Sequence, residues 1–381
     1  MRKYTIYERV LNLNNLLKKK SFFLFGPRGT GKTTLIKRSF AKALVIDLLN
    51  SQNYRDYLRN PSILSEQQLN DIIVVDEIQK LPILLDEVHR LIEERGLTFL
   101  LTGSSARKLK RGGANLLAGR AWWAELHPLT FPEITDFDLL TYLNRGGLPA
   151  IYQSEYHVEE LNAYTALYLQ EEIKNEALAR NVNQFSEFLE LIALSNGEEI
   201  SYQSIASDCG VTSNTVKNYI QVLEDTLVAF QLQAFTKTKK RKAISRSKLY
   251  LFDVGVTNNL ANRGEIFNES ELFGKAFEHF IMMEVRAYIS YFRKNLKMQY
   301  WRSTSQYEVD LILGNQWAIE IKSSQSVQTK HLKGIRALKE EGLVKNYAVI
   351  SCDRTERITP DKIIILPWKK FLKKLWKGEF V

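Results

Sequence analysis

Cysteine is scarce in this sequence, and long apolar runs are absent from it. Cys209 and Cys352 are the two cysteines among 381 residues, so neither a disulfide framework nor a clustered zinc site is predicted, as suits a reducing compartment. No apolar run approaches the roughly 18 to 20 residues of a membrane span, and the first residues lack the continuous apolar core of a signal peptide. We therefore expect a cytoplasmic protein without a membrane span.

Acidic residues are outnumbered by basic ones. The sequence has 53 Lys and Arg residues against 43 Asp and Glu residues, which gives a net charge of +10 at pH 7 and an isoelectric point near 9.3. This balance favours an acidic partner, with nucleic acid as the first candidate. At about 150 residues per domain, the length predicts two or three domains.

Residues 26–34 fit the pattern G-x-x-x-x-G-K-[ST] and directly follow an apolar run over residues 21–25. Such a loop turns successive backbone N–H groups toward one anion, and the helix that follows adds the positive end of its dipole. We expect Lys32 to reach the β- and γ-phosphates of ATP and Thr33 to ligate Mg²⁺. The loop residues predicted to bind the nucleotide are Gly26, Pro27, Arg28, Gly29, Thr30, Gly31, Lys32, Thr33 and Thr34.

Strand-like and helix-like runs alternate through the first 130 residues, which predicts a parallel α/β sheet. The apolar run over residues 72–75 is typical of a central strand, and it places Asp76 and Glu77 at the carboxyl end of the sheet, where ligands bind. Asp76 is expected to hold Mg²⁺ through its water shell, and Glu77 is expected to polarise the attacking water as general base. An ordinary acidic turn after a strand is the alternative.

Two serines and a threonine stand at the end of the next predicted strand, over residues 97–102. Ser104 is expected to contact the γ-phosphate or the attacking water, with Thr102 and Ser105 as alternatives. Further along, residues 146–149 form a glycine-rich turn that interrupts the helical segment 141–181. Pro149 of this turn either borders the adenine or simply stops a helix.

Arg120 stands immediately before the last predicted strand, over residues 121–126, where ATPases of this strand order usually carry an arginine finger. Because such an arginine normally acts on the nucleotide of a neighbouring subunit, Arg120 predicts a homo-oligomer, either a ring or a dimer. Arg107 and Arg111 compete for the role, and a surface arginine without a catalytic role is the alternative.

Residues 201–224 have the pattern of a helix-turn-helix, with Gly210 supplying the tight turn, and residues 227–232 read as a wing strand. This unit is predicted to contact either DNA or a protein. The second helix exposes polar side chains suited to groove contacts, namely Ser213, Asn214, Lys217, Asn218 and Gln221. A basic run follows over residues 237–248, and it is either a phosphate-binding segment or a solvated loop.

A second constellation lies in the last third of the chain, where the runs 307–313 and 317–322 predict a hairpin. A two-residue loop would set Asp310 against Ile319, whereas a three-residue loop would set it against Glu320. The longer loop also puts the apolar residues of both strands on one face and leaves Asp310, Glu320 and Lys322 on the other. Two carboxylates and a lysine so placed can bind Mg²⁺ and stabilise attack on a phosphodiester.

These residues resemble the PD-(D/E)XK nuclease superfamily, with Asp310 as the strand aspartate, Glu320 and Lys322 as the E-x-K pair and Glu278 as the helix glutamate. The chain departs from that pattern because no proline precedes Asp310, and Glu308 is a rival acid. With the phosphate loop and the residues at 74–79, 101–105, 119–120, 146–149 and 248–253, nearly the whole chain resembles prokaryotic proteins that join an AAA-type ATPase to a C-terminal domain of unknown function with a restriction-endonuclease-like core.

The resemblance implies ATPase activity and a role in DNA metabolism or defence. Together with the residues above it gives a first hypothesis, an enzyme with ATP and Mg²⁺ as cofactors that couples ATP hydrolysis to DNA binding and to metal-dependent DNA cleavage. In that reading Glu77, Lys32 and Arg120 act on ATP, whereas Asp310, Glu320, Lys322 and Glu278 act on DNA, with Thr33, Asp76, Asp310 and Glu320 as metal ligands. The alternative is an ATP-controlled switch whose winged helix and inactive nuclease-like domain bind protein or DNA partners without cutting.

The predicted fold class is α/β, with a parallel P-loop ATPase sheet, a helical lid, a winged helix-turn-helix and a C-terminal α/β restriction-endonuclease-like domain. The predicted boundaries are 1–140 for the ATPase core, 141–182 for the lid, 183–235 for the winged helix, 236–248 for a basic linker and 249–381 for the nuclease-like domain.

Overall fold

A computed structural model describes residues 5–66, 72–105, 117–169, 182–268 and 270–381. The described strands form two sheets, one in each half of the chain. The first contains β1 (Ser21–Phe25), β2 (Leu44–Asp47), β3 (Ile72–Asp76), β4 (Thr98–Gly103) and β5 (Ala121–Glu125). The second contains β6 (Ala229–Ala234), β7 (Lys248–Leu251), β8 (Met298–Arg302), β9 (Glu308–Leu313), β10 (Trp317–Lys322), β11 (Asn346–Ser351), β12 (Arg357–Ile358) and β13 (Ile364–Pro367).

The helices of the amino-terminal half are α1 (Leu13–Leu17), α2 (Lys32–Ser39), α3 (Ser51–Arg59), α4 (Ile63–Glu66), α5 (Leu84–Arg95), α6 (Leu139–Arg145), α7 (Pro149–Tyr152) and α8 (His157–Ala163). Those of the remaining part are α9 (Val182–Leu194), α10 (Tyr202–Asp208), α11 (Ser213–Asp225), α12 (Val254–Leu260), α13 (Glu271–Tyr291), α14 (Lys333–Lys339) and α15 (Trp368–Trp376). No described helix is both long and apolar enough to cross a membrane.

The first sheet is parallel, with the strand order β2-β3-β4-β1-β5. Alternate residues of β1 face opposite layers: Phe23 packs with α3, α4 and α5, whereas Phe22 packs with α1 and α2. The sheet is therefore buried on both sides, as the near-continuous apolar run of β3 predicts. The carboxyl ends of β1, β3 and β4 lie side by side and carry the residues of the nucleotide site.

The segment predicted as a lid contains α6, α7, α8 and a π-helix over Tyr164–Leu169, and residues 170–181 lie outside the described part. Gly146 ends α6 with φ of 74°, a backbone conformation that favours glycine, and the N–H of Gly147 donates to Asp253 Oδ2 at 2.7 Å. Asp253 also caps α12 through its bond from Val256 N–H. The glycine-rich turn is thereby fixed to the carboxyl-terminal half of the chain.

Helices α10 and α11 are joined by a short turn in which Gly210 has φ of 62°. Thr212 caps α11 through its hydroxyl, which accepts from Thr215 N–H at 3.2 Å. Strand β6 corresponds to the predicted wing strand but begins two residues later than expected. It is not the last strand of a separate winged-helix domain. It pairs antiparallel with β7 and parallel with β8, so it belongs to the second sheet. The segments predicted as 183–235 and 249–381 thus share one sheet.

The second sheet is mixed, with the order β12-β13-β11-β10-β9-β8-β6-β7. Helices α13 and α15 cover one face, and α14 covers the other. Trp368, Phe371, Leu372 and Leu375 bury the apolar side of α15 against α13. This basic amphipathic helix is therefore docked on the protein.

The hairpin of β9 and β10 has the three-residue loop, because Leu313 pairs with Trp317 and Leu311 pairs with Ile319. The same register, continued by one residue, sets Asp310 against Glu320. The expected single apolar face is wrong in one position, since Val309 packs with α14 rather than with α13. A bulge in the neighbouring strand, between Gln299 and Trp301, shifts the pairing at that end.

The basic run is not the free linker that its composition suggests. Glu341, which follows α14, accepts backbone N–H bonds of 2.9 to 3.0 Å from Lys239, Lys240 and Arg241. The linker prediction is wrong for Lys248, because this residue lies in β7 with only 5% of its surface exposed. The lysines and arginine of this run that remain exposed are Lys237, Lys239, Lys240, Lys242 and Arg246.

Candidate functional site

The phosphate loop joins β1 to α2 at the carboxyl edge of the first sheet. Gly29 and Gly31 have φ of 82° and 93°, so the chain reverses in a conformation that other residues rarely adopt. Lys32 is buried and folds over the loop, with Nζ at 2.6 Å from the Gly26 carbonyl and 3.2 Å from that of Pro27. Thr30 closes the turn through its hydroxyl, which donates to the Pro27 carbonyl at 2.9 Å.

The predicted Mg²⁺ ligands lie together. Thr33 Oγ1 donates to Asp76 Oδ2 at 3.3 Å, and the buried Thr102 hydroxyl donates to Asp76 Oδ1. One carboxylate thus joins the ends of α2, β3 and β4. A hydroxyl and a carboxylate at this distance form a hard oxygen donor set, which fits Mg²⁺.

Glu77 follows Asp76 with φ of 61°, which is unusual for a residue with a side chain and is typical of functional sites. Gln79 Nε2 donates to Glu77 Oε2 and, at 3.2 Å, to Ser104 Oγ. The Glu77 N–H donates to Thr102 Oγ1 at 3.4 Å. Glu77 and Ser104 are therefore held in one hydrogen-bonded group through Gln79.

A cavity of about 730 Å³ opens beside this loop. Its lining combines part of the predicted nucleotide site with the chain that leads into α1 and with the lid. The lining residues from the predictions are Arg28, Gly29, Gly31, Lys32, Thr33, Thr34, Glu77 and Pro149. The volume and the polar loop at one end are suited to a nucleotide. On the lid side, Tyr164 donates its hydroxyl to the Arg28 carbonyl at 2.9 Å.

Arg9 was not predicted, yet its side chain contacts the phosphate loop and is only 5% exposed. Its guanidinium donates to the carbonyls of Thr30 at 2.7 Å and His127 at 2.6 Å, and it pairs with Glu133 at 3.0 Å. Burial alone would lower the pKa of Arg9. The Tyr291 hydroxyl and the charge of Glu133 outweigh this effect, so the pKa of Arg9 is raised above its usual value. Arg9 therefore remains a cation that braces the loop, and no motif in the sequence points to it.

Arg120 lies away from the phosphate loop of its own chain. Ala121 pairs with Ser21 at the start of β1, so Arg120 is at the amino edge of the sheet, whereas the loop is at the carboxyl edge. Its guanidinium forms an ion pair with Glu93 of α5. A catalytic role for Arg120 would thus be in another subunit. The rival residues Arg107 and Arg111 lie outside the described residues.

The carboxyl-terminal acids meet where β9 and β10 pair. Lys322 Nζ lies 2.7 Å from Glu320 Oε1 and 3.5 Å from Asp310 Oδ2, and the Ile321 N–H donates to Asp310 Oδ2 at 2.7 Å. Burial, followed by the charge of Asp310, raises the pKa of Glu320 well above its usual value. Burial lowers the pKa of Lys322, but Asp310 and Glu320 outweigh it and raise that pKa. The predicted trio is thus brought together.

Glu278 of α13 joins this group. Its pKa is raised by burial and then by the charge of Asp310, and its Oε1 accepts from the Tyr250 hydroxyl at 2.6 Å. Two members of this group were not predicted to belong to it, namely Tyr250 and Lys248, both from β7. Lys248 Nζ lies 2.5 Å from Glu308 Oε1, and its pKa is raised because Glu278 and Glu308 outweigh the effect of burial.

A divalent cation would find suitable donors here, although the ligand set is incomplete. Glu320 Oε2 is buried without a hydrogen-bond partner, and it belongs to a carboxylate that faces Asp310. Among the described residues, no group of three or more Asp, Glu, His or Cys side chains is arranged to hold a metal ion. The Lys322 ammonium stands beside both carboxylates instead. Asp310 and Glu320 are therefore the residues that would hold the cation.

Comparison with known families covers most of the chain in three sections. Residues 18–135 match the family described as AAA domain. Residues 136–266 and 273–371 match two families described as Domain of unknown function, DUF8612 and DUF4143 respectively.

Similar proteins occur in bacteria and archaea. An uncharacterized protein of Mycobacterium tuberculosis is 24% identical over 314 residues, which are 80% of this chain and 70% of the relative. An uncharacterized protein of Methanocaldococcus jannaschii is 25% identical over 406 residues, with 93% and 88% covered. Among solved structures, a Walker-type ATPase of Pyrococcus abyssi aligns with a TM-score of 0.47 and 14% identity, covering 67% of this chain and 96% of that one. Residues 18–135, which contain the phosphate loop and the parallel sheet, are thus similar to AAA domains.

Proposed function

We propose that the amino-terminal site hydrolyses ATP with Mg²⁺. The observation that carries the proposal is the contact of Thr33 with Asp76 beside Glu77, at the mouth of the cavity that the phosphate loop lines. Thr33 and Asp76 would hold Mg²⁺, which when bound neutralises charge on the phosphate oxygens. Lys32 binds the β- and γ-phosphates, and Glu77 accepts the proton of the attacking water, with Gln79 keeping its carboxylate oriented.

The first test is nucleotide binding. Lys32→Ala removes a charged phosphate contact, so ATP affinity is expected to fall about tenfold to a hundredfold. The matched control is Lys37→Ala, an exposed lysine on the same helix that does not line the cavity. Equal ATP affinity in the Lys32 variant and the control, measured by equilibrium binding, would refute the site.

For the carboxyl-terminal site we propose metal-dependent cleavage of DNA. The supporting observation is the convergence of Glu278, Asp310, Glu320 and Lys322, with a buried Glu320 oxygen that has no partner. Asp310 and Glu320 would hold the cation, which when bound stabilises negative charge on the phosphodiester. Lys322 would donate to the same phosphate.

Cleavage is tested with plasmid and single-stranded DNA in Mg²⁺ or Mn²⁺, with and without ATP. We expect cut products from the wild type and none from Asp310→Ala. Glu271→Gln, which changes an exposed acid on the first turn of α13, serves as the control and is expected to cut. Intact DNA with every protein would refute cleavage and favour the alternative, a nucleotide-controlled switch that binds partners without cutting.

DNA binding is proposed on the surface of α11 and the basic segment. Asn214, Lys217, Asn218 and Gln221 are exposed on α11, where a helix-turn-helix would face the groove. Lys217→Ala is expected to weaken DNA binding and to reduce its dependence on salt concentration by roughly one phosphate contact. Unchanged affinity and salt dependence would instead indicate that this winged-helix-like unit contacts a protein.

A further inference from the structure

The carboxyl-terminal acidic site receives two side chains from a strand outside its own sequence region. Lys248 and Tyr250 are two residues apart on β7, so their side chains emerge on the same face of the strand. Both precede the region 273–371 that matches DUF4143, and β7 reaches the site because it pairs with β6 in the second sheet. Tyr250 contacts Glu278, and Lys248 contacts Glu308.

Glu308 is the acid that competes with Asp310 for a role in this site. The two are separated by one residue of β9, and both lie close enough to Lys248 for their charges to raise its pKa. Lys248 Nζ contacts Glu308 Oε1 at 2.5 Å, and Arg302 Nε lies 3.7 Å from Glu308 Oε2. Arg302 is engaged more closely by Glu199, at 3.2 Å, so the main partner of Glu308 is Lys248.

We propose that Lys248 is a positioning residue of the acidic site, which holds Glu308 in an ion pair and so leaves Asp310 and Glu320 to bind the divalent cation. This inference rests on the cation site proposed above. In this proposal, a lysine of β7 determines which of two neighbouring carboxylates of β9 is left to bind the cation. It also makes the site a composite of two sequence regions, neither of which contains all of its charged groups.

The place of Lys248 in the site agrees with this role. Lys248 is buried at the side of the cluster, where it contacts Glu308 and lies 5.1 Å from the ring centre of Tyr300. It is therefore placed to hold an acid rather than to contact DNA.

The test is Mn²⁺ binding to the full chain without nucleotide, measured by calorimetry, with Asp310→Ala defining the signal of this site. Lys248→Met frees Glu308 and adds one negative charge, so we expect Mn²⁺ to bind about tenfold more tightly. Glu308→Gln leaves the Lys248 ammonium facing the remaining acids, so affinity is expected to fall about tenfold. The double variant Lys248→Met/Glu308→Gln is expected to return within about twofold of the wild type, because both charges are gone.

Restoration in the double variant separates positioning from a merely structural role, which would not be rescued by removing the partner. If Lys248→Met fails to fold, as its thermal melting curve would reveal, Glu308→Gln still decides the matter. Wild-type affinity in all three variants would overturn the inference alone. Absence of any Mn²⁺ signal that depends on Asp310 would overturn the proposed cation site, and the inference with it.

Discussion

At the scale of single residues, the carboxylates proposed to act in the two sites are held by side chains from other elements. Thr102 of β4 donates to Asp76 of β3, and Tyr250 of β7 donates to Glu278 of α13. Such supporting bonds fix the orientation of an acid before a ligand arrives, which reduces the cost of reorganisation during the reaction. The supporting residues should therefore affect rates more than ligand affinity.

Thr102 offers a direct test of that expectation. Thr102→Val keeps the buried shape but removes the hydroxyl that bonds to Asp76, so the ATPase rate is expected to fall about tenfold or more, with little change in ATP affinity measured without Mg²⁺. Thr98→Val, at the far end of the same strand, is the control. An unchanged rate for Thr102→Val would mean that the bond does not support the site.

Glu284 predicts a pH dependence of stability. Burial raises the pKa of Glu284 to about 8, against hydrogen bonds from Trp376 and from the Phe131 N–H. Between the unfolded value of 4.5 and this pKa, the folded protein holds a proton that the unfolded chain has lost, so stability falls as pH rises. The slope due to this group is at most about 1.4 kcal/mol per pH unit.

The measurement is the free energy of unfolding in urea from pH 5 to pH 8, for the wild type and Glu284→Gln. The variant cannot titrate at this position, so its stability should decline less steeply with pH. Parallel pH profiles for the two proteins would show that Glu284 keeps an ordinary pKa.

Local motifs explain which site residues were predictable. Lys32 and Thr33 belong to one loop motif, and Asp76 and Glu77 come at the end of one apolar strand. Short sequence patterns are therefore enough to predict where these residues lie in the fold. Arg9 reaches the loop from outside any motif, and its contacts with Thr30 and His127 span 21 and 118 residues. Such contacts depend on the packing of distant segments, which spacing along the chain does not encode.

At the scale of elements, the hairpin of β9 and β10 was predictable because strand periodicity and loop length together fix which side chains share a face. The pairing of β6 with β7 and β8 was not predictable from the sequence, because β6 and β8 are separated along the chain by a long stretch that includes α13. Lys248 was consequently read as part of a basic linker, whereas burial in β7 places it beside Glu308.

The packing of α14 on β9 gives a prediction at this scale. Gly334 of α14 lies directly against the Glu308 backbone, and a methyl group there would overlap the Glu308 carbonyl. Gly334→Ala is therefore expected to destabilise the protein by about 1–3 kcal/mol. Gly264→Ala, at a glycine with open space around it and no positive φ, is expected to stay within about 0.5 kcal/mol. Equal unfolding midpoints in urea would contradict this packing.

At the scale of the whole molecule, α13 connects the two sites. Its amino-terminal part carries Glu278, and its last turn places the Tyr291 hydroxyl 3.3 Å from Arg9, behind the phosphate loop. Between them, Arg286 pairs with Glu125 of β5 at 3.1 Å. A helix of 21 residues is about 30 Å long, so this one element spans the distance between the acidic site and the ATPase sheet.

The proposed role of Arg120 predicts that copies of this chain assemble into an oligomer. If Arg120 acts on the nucleotide of a neighbouring subunit, Arg120→Ala should bind ATP normally but hydrolyse it at least about a hundredfold more slowly. Mixing this variant with Glu77→Gln should restore activity, because mixed assemblies contain some sites with both residues intact. The readout is phosphate release across mixing ratios, and the absence of rescue at every ratio would count against a role in trans.

Hydrolysis itself is tested most directly by phosphate release from ATP and Mg²⁺ by the wild type and Glu77→Gln, with ATP affinity measured on the same samples. Because Glu77 is proposed to take the proton from water and not to bind the nucleotide, we expect a rate loss of about a hundredfold to ten-thousandfold at unchanged affinity. Glu94→Gln, on an exposed part of α5, should match the wild type. A Glu77→Gln protein that releases phosphate at the wild-type rate would contradict the account.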